Sequence, residues 1–258
     1  LPKTDRDRLA TKKVFSAAGG LDNLTRAMAR AIGESKITLS AFGITIRPVE
    51  KGWIATYTTS EGEQTIRADK VITTTGAYAL PELLPFIAEE DMNKISNLKY
   101  APVVQASVGI RNTGKLRFNA FGGLIPSCEQ KDVLGILFPA ACFDNRAPKE
   151  GALFSFFIGG VKHEKLTRLE DNELKALITH EFHAMLKFPI DVQPDMIRIF
   201  RHPRAIPQYE LSSGERFATI DKLEAQYPGL ILAGNIKGGI GMADRIRQAT
   251  GIAENLLM

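Results

Sequence analysis

The chain has 258 residues, of which 44% are hydrophobic and 24% charged, and carries a formal net charge of +4. This composition excludes a disordered or fibrous chain and fits a globular protein with room for one or two domains. Basic residues are scattered instead of gathered into a run, which argues against a nucleic-acid partner, and no apolar run approaches the roughly 20 residues a membrane-spanning helix needs.

The opening stretch, Leu1 to Arg8, has neither an initiating methionine nor a signal-peptide pattern, so the chain reads as truncated, processed or numbered from an internal point. Gly19-Gly20-Leu21-Asp22-Asn23-Leu24 then leads into a helix with Leu21, Leu24, Met28 and Ile32 on one stripe, ended by Gly33 and expected to bury that face. From Lys36 the period changes to two. Ile37 and Leu39, Ile44 and Ile46, and Trp53 to Thr59 alternate, with turns at Lys51-Gly52 and Glu61-Gly62, and Gln64 to Arg67 returns as a further strand. This predicts a small β-meander. Val71-Ile72-Thr73-Thr74-Thr75-Gly76 is a β-branched run of the kind buried on both faces of a sheet, and a helix is expected through Glu82 to Ala88.

In the middle of the chain, apolar strands at Val103–Ile110, Phe121–Ile125, Val133–Phe138 and Leu153–Ile158 suggest one antiparallel sheet. Asp171 or Asn172 is placed to cap a helix carrying Leu174, Leu177, Ile178, Phe182 and Met185, followed by a strand over Val192–Phe200. A helix around Ala218–Gln226 precedes Pro228-Gly229 and a terminal strand, glycine-rich turn and helix at 229–258.

That last stretch resembles a phosphate cradle, yet Gly239-x-Gly241 is followed by Asp244 where a third glycine would stand, and no second strand follows the helix. It therefore fits the last strand and helix of a nucleotide-binding sheet better than the first. The resulting fold class is α/β plus α+β: a partial FAD/NAD(P)-binding Rossmann-like domain lacking its first βαβ unit, with an inserted antiparallel-sheet substrate domain. The expected boundaries are 1–80 and 216–258 for the nucleotide-binding part and 81–215 for the insert.

Other chemistry-bearing residues invite plainer readings. Cys128 and Cys142 match reduced thiols in a reducing, cytoplasmic compartment better than a disulfide. His180-Glu181-Phe182-His183 is one residue short of the H-E-x-x-H zinc spacing and reads as a solvated helix face. Asp221, Asp244 and Glu254 read as helix-surface charges, and no G-x-S-x-G nucleophile elbow is present.

Several stretches in order, "VFSAAGGLDNL", "ADKVITTTGAYALPELL", "LGILFPAACFDNRAP", "GALFSFFIGG", "PRAIPQYE" and "PGLILAGNIKGGIGMADRIR", carry a resemblance from about Lys13 to the end. The chain resembles the C-terminal portion of the protoporphyrinogen and coproporphyrinogen oxidases, within the flavin-containing amine oxidase superfamily. The resemblance implies FAD as cofactor, a porphyrinogen as substrate and dioxygen as electron acceptor, in haem biosynthesis. The flavin carries the redox chemistry, so no catalytic side chain is assigned and no metal is expected.

By the same resemblance, Ala233, Gly234 and Asn235 fall where the family's strand end approaches the FAD phosphates and ribityl chain. Gly239, Ile240, Gly241 and Met242 fall where backbone amides face the isoalloxazine. Thr74 and Thr75 lie on the strand passing the cofactor, and Gly43 stands where the family has an adenine-contacting valine. Leu124 and Phe143 match apolar residues that hold the macrocycle; Arg204, with Arg146 and Arg201, is a candidate by charge for the propionates.

The family's opening G-x-G-x-x-G turn is not found in these residues, so this chain alone is expected to bind FAD weakly or not at all and to be inactive. A homo-oligomer and a peripheral membrane contact through a region outside the chain are further expectations. The alternative is a non-catalytic fragment or remnant of the scaffold with a binding role.

Overall fold

A computed structural model describes residues 14–257, which divide into two compact units. One contains 14–37 and 102–203, the other 38–101 and 204–257.

In the first unit, helix α1 (Asp22–Ile32) ends at Gly33, whose φ of 97° is open to glycine and whose amide donates to the Ala29 carbonyl. Its predicted apolar stripe is real but uncovered: Leu21, Met28 and Ile32 are 46%, 44% and 54% exposed, and the helix contains no buried residue. No described part of this unit packs over that face. The unit's core lies instead under a five-stranded sheet in the order β6-β7-β8-β5-β9, formed by β5 (Tyr100–Ile110), β6 (Gly122–Leu124), β7 (Val133–Leu137), β8 (Ala152–Gly159) and β9 (Met196–Pro207). Neighbours β6/β7, β7/β8 and β5/β8 are antiparallel.

Alternation decides which face is buried. Val104, Ala106 and Val108 on β5 and Phe154, Phe156 and Ile158 on β8 are all fully buried. After the short helix α4 (Pro139–Cys142), helix α5 (Asp171–Leu186) covers this side with Leu174, Ile178, Phe182 and Leu186, and the Phe182 and Phe188 rings stack at 4.3 Å. Each such side chain contributes roughly 1.5–3 kcal/mol on removal from water. The α5 cap is Glu170, one residue before the predicted pair: its amide donates to Glu173 Oε2 at 2.8 Å, one arm of a capping box. Asp171 instead pairs with Arg201. The strand expected at Val192–Phe200 runs from Met196 to Pro207.

The second unit opens with the predicted meander, β1 (Phe42–Pro48), β2 (Trp53–Thr59) and β3 (Gly62–Ala68), paired antiparallel in that order. The stretch from Ile37 to Leu39 does not join it. Next, β4 (Val71–Thr73) pairs parallel with β10 (Leu230–Leu232), Val71 opposite Leu230. β4 is not buried on both faces: Ile72 is 43% exposed, and β10 is the one strand paired with β4 among the described residues. Gly229 sets up the pairing. Its φ is +88°, and a Cβ there would stand 2.7 Å from the Asp69 carbonyl oxygen and 3.0 Å from the Trp53 indole nitrogen.

Of the helix expected through Glu82–Ala88 only the start forms, in α2 (Leu80–Leu83), since Pro85 cannot continue a helix and pushes Leu84 out of helical geometry; the next helix, α3 (Glu89–Ser96), begins beyond it. Leu80, Leu84 and Ile95 then pack with Trp53 and with Ile220 and Leu223 of α6 (Ser213–Gln226). Residues 81–101 and 204–215 thus pack in this unit, whereas the sequence grouped them with the insert. The chain's last described helix is α7 (Met242–Leu257).

Candidate functional site

The site candidates of the second unit converge on the link between β10 and α7. β10 ends with the Ala233 amide donating to the Thr73 carbonyl at 2.9 Å. Gly234 follows with φ +93°, so close to β4 that a Cβ would lie 2.9 Å from the Thr74 carbonyl oxygen. Ala233, Gly234 and Asn235, with Ile72 of β4 and Thr74 just after it, line a cavity of about 500 Å³ whose other wall is α7, through Arg245, Gln248, Ala249, Ile252, Ala253 and Leu256. Thr75 is exposed beside it in sequence but is not among the lining residues, and Gly43 sits exposed on β1.

The turn from Gly234 to Gly239 has its carbonyls tied down by side chains. Arg245 Nη1 donates to the Gly234 carbonyl, and Arg245 Nη2 to the carbonyls of Lys237 at 3.0 Å and Gly239 at 2.8 Å. Gln248 bridges the same elements, accepting from the Gly234 amide at 2.9 Å and donating to the Lys237 carbonyl at 3.1 Å. Gly234 is therefore satisfied within the chain, and its requirement is close packing on β4. On another side, the Tyr209 hydroxyl is shared between the carbonyls of Asn235 at 3.0 Å and Gly239 at 3.2 Å. Arg216 Nε donates to the Ile236 carbonyl at 3.1 Å.

Asn235 is also held through its side chain. The Tyr100 hydroxyl donates to Asn235 Oδ1 at 3.3 Å and accepts from the Ala77 amide at 2.9 Å, and burial pushes the Tyr100 phenol above its ordinary pKa. Arg216 is 3% exposed and lies 5.1 Å from the Tyr209 and Phe217 rings; loss of hydration lowers its pKa. Ile240 and Met242 are 49% and 46% exposed, presenting apolar side chains where the turn enters α7. Gly241 donates to Asp244 Oδ2 at 3.2 Å, so Asp244 caps α7 as well as pairing with Arg247.

The macrocycle candidates divide between the units. Leu124, at the end of β6, is 87% exposed, and Phe143 is half-buried with the Arg146 guanidinium 5.9 Å from its ring; both are in the first unit. Arg146 donates to Ser16 Oγ and the Ala17 carbonyl, each at 3.0 Å, and Arg201 to Asp171 Oδ1 at 2.6 Å and the Thr167 carbonyl at 2.9 Å. Both are occupied within the chain. Arg204, in the second unit, stacks 3.8 Å from the Tyr78 ring, which leaves the edge of its guanidinium to meet a carboxylate.

Sequence reasoning missed Tyr100, Tyr209, Arg216, Arg245 and Gln248. Tyr209 was visible as the end of the "RAIPQY" stretch, but Arg216, Arg245 and Gln248 look like ordinary polar positions of amphipathic helices.

The family model for flavin containing amine oxidoreductases matches residues 2–256. The chloroplastic protoporphyrinogen oxidase of Oryza sativa subsp. japonica is 30% identical over 263 residues, covering 93% of this chain and 47% of that protein. The mitochondrial protoporphyrinogen oxidase of Nicotiana tabacum is 26% identical over 271 residues, covering 98% and 53%. The chain thus spans about half the length of the curated relatives it matches. A solved structure from Exiguobacterium sp. 255-15 shares the fold with a TM-score of 0.77 at 18% identity, over 92% of this chain and 51% of that one. Among the described residues no helix is long and apolar enough to cross a membrane. With nearly its whole length matched by the family model, the chain belongs to the flavin containing amine oxidoreductase family, an oxidoreductase family whose cofactor is FAD.

Proposed function

We propose that the protein takes part in FAD-dependent oxidation of a porphyrinogen to the porphyrin, with dioxygen as acceptor, as a step of haem biosynthesis. The observation that carries this reading is the link between β10 and α7: an anchored glycine turn over a cavity of about 500 Å³ with a largely apolar lining. The match to plant protoporphyrinogen oxidases along nearly the whole chain supports the same reading.

The residues present fit a flavin dinucleotide. The cavity lies in the size range of small-molecule sites, its lining is mostly small or apolar, and Thr74 and Asn235 put polar groups on its wall. Ala233, Gly234 and Asn235 would hold the cofactor's phosphates and ribityl chain. The turn through Gly239, Ile240, Gly241 and Met242 would face the flavin with backbone amides other than that of Gly241, which Asp244 holds, at a helix N-terminus. Thr75 would lie on the strand passing the cofactor and Gly43 at the adenine. When bound, FAD supplies the two-electron redox chemistry.

In the first unit Leu124 and Phe143 would give a tetrapyrrole apolar surface; in the second unit, considered by itself, Arg204 is a candidate by charge for a propionate. Leu124 is 87% exposed, so its side chain is free to meet a ligand. Protoporphyrinogen is the favoured substrate, with coproporphyrinogen the competing one.

The reading is tested by titrating FAD into the purified full-length protein and following quenching of flavin fluorescence, then repeating the titration with Leu124→Ala and Arg204→Ala. Saturable FAD binding unchanged in both variants, with porphyrin product formed more slowly in each, supports it. Absence of saturable FAD binding argues for the non-catalytic alternative.

A further inference from the structure

The carbonyls of Gly234, Asn235, Ile236, Lys237 and Gly239 all accept hydrogen bonds from side chains: Arg245 and Gln248 on α7, Arg216 on α6, and Tyr209 just after β9. A short turn ordinarily gives its carbonyls to water or to neighbouring amides, so capture of nearly every one by a side chain needs a reason. Cost sharpens the question. Arg216 is 3% exposed, and Arg245 Nε is buried with no hydrogen-bond partner among the described residues. The Arg216 guanidinium is thus held out of water, and that of Arg245 partly so, by hydrogen bonds to carbonyl, hydroxyl and amide oxygens, with Arg216 also beside aromatic rings and neither in an ion pair among the described residues.

Geometry supplies the reason. A peptide unit is planar, and its N–H and C=O point in opposite directions. Each carbonyl fixed by a side chain therefore fixes the amide that follows it, pointing it away from that side chain. Amides held in this way are available to an anion or an electron-rich edge.

We propose that Tyr209, Arg216 and Arg245 are positioning residues: they fix the carbonyls of the 234–239 turn so that its amides are held out, preorganised, toward the anionic and electron-rich edges of the bound flavin dinucleotide. This rests on the FAD reading above and deepens it. None of the three is a catalytic residue; each acts through the backbone it holds. Tyr209 is the most informative position, because its ring packs 5.8 Å from Phe217 while only the hydroxyl reaches the turn.

The experiment combines amide hydrogen exchange, read by mass spectrometry on the protein without added cofactor, with FAD titration of the same samples. Tyr209→Phe deletes only the hydroxyl, Arg245→Gln removes the guanidinium, and Arg245→Lys tests rescue by charge with fewer donors. Phe154→Ala, in the other unit's core, controls for general loosening. Exchange in peptides covering 235–241 is expected to quicken on the order of fivefold in Y209F and at least about tenfold in R245Q, with R245K between, and peptides of β1 to β3 unchanged. The FAD dissociation constant should rise on the order of tenfold in Y209F and R245Q, with a displaced visible flavin band at saturation that F154A does not produce.

Unchanged exchange in Y209F and R245Q would overturn the clamp. Faster exchange with wild-type FAD affinity and spectrum would overturn its positioning role. A wild-type protein that takes up no FAD, yet shows the predicted exchange pattern, would sink the cofactor reading and leave the clamp standing.

Discussion

Gly234 and Thr74 meet backbone to backbone: a Cβ on Gly234 would stand 2.9 Å from the Thr74 carbonyl oxygen, and the Gly234 φ of +93° lies where side-chain-bearing residues are strained. The end of β10 and the end of β4 are therefore packed with no room for a methyl group. Gly234→Ala is expected to destabilise the second unit by roughly 1–3 kcal/mol, the cost of a strained backbone plus displacement of the β4 end. The urea midpoint of the β10 region, followed by hydrogen exchange across 230–236, should fall; an unaltered midpoint would contradict this packing.

A second contrast separates packing from binding in the first unit. Phe154 is fully buried and touches the Phe118, Phe138 and Phe182 rings at 4.9, 5.4 and 6.4 Å, whereas Leu124 is 87% exposed. Phe154→Ala should cost about 3–5 kcal/mol and lower Tm markedly. Leu124→Ala should leave stability within about 0.5 kcal/mol and instead raise KM for the porphyrinogen. Equal Tm losses in the two variants would refute the assignment of Leu124 to the ligand.

Tyr100 gives a pH dependence whose sign is fixed. Its pKa is raised above the ordinary tyrosine value of about 10, first by burial. A folded-state pKa above the unfolded one means the neutral phenol is favoured in the fold. That stabilisation is fully present below about pH 10, the unfolded value, and is lost as pH rises through the higher folded value. Stability should therefore fall on the alkaline side in wild type, and the fall should be shallower in Tyr100→Phe, which has no phenol to ionise. Urea midpoints measured from pH 8 to 11 would show it; parallel profiles would assign the alkaline loss to other groups.

Much of this architecture was legible in local pattern. The period-two runs with Lys51-Gly52 and Glu61-Gly62 turns marked the meander, and the alternation through Leu153–Ile158 marked the centre of the larger sheet. Pattern failed where an element's neighbours decide its fate. The α1 stripe and Ile72 are as apolar as buried positions, but burial depends on a partner surface that periodicity does not encode. Pro85 was the legible signal that a helix through Glu82–Ala88 could not form as one piece, and it was overlooked. The glycine turn was found from its spacing. Its anchors were not, because Tyr209, Arg216 and Arg245 lie on different elements and gain their meaning from converging on one set of carbonyls.

Arg204 tests the substrate reading by charge. Its guanidinium rests 3.8 Å from the Tyr78 ring, a contact worth about 0.5–1 kcal/mol at an exposed site. Arg204→Ala should therefore cost little stability. It should weaken binding of coproporphyrinogen, which has more propionates, at least as much as that of protoporphyrinogen. Comparison of KM for the two substrates checks this; no change with either would remove Arg204 from the site.

The account turns on electron transfer from a porphyrinogen to FAD held by this scaffold. The most direct measurement is the visible spectrum of the purified, FAD-loaded protein under anaerobic conditions, before and after addition of protoporphyrinogen and, separately, coproporphyrinogen. The account predicts bleaching of the flavin band as porphyrin fluorescence appears, faster with protoporphyrinogen, and return of the band when dioxygen is admitted. A flavin band unmoved by either porphyrinogen would contradict it.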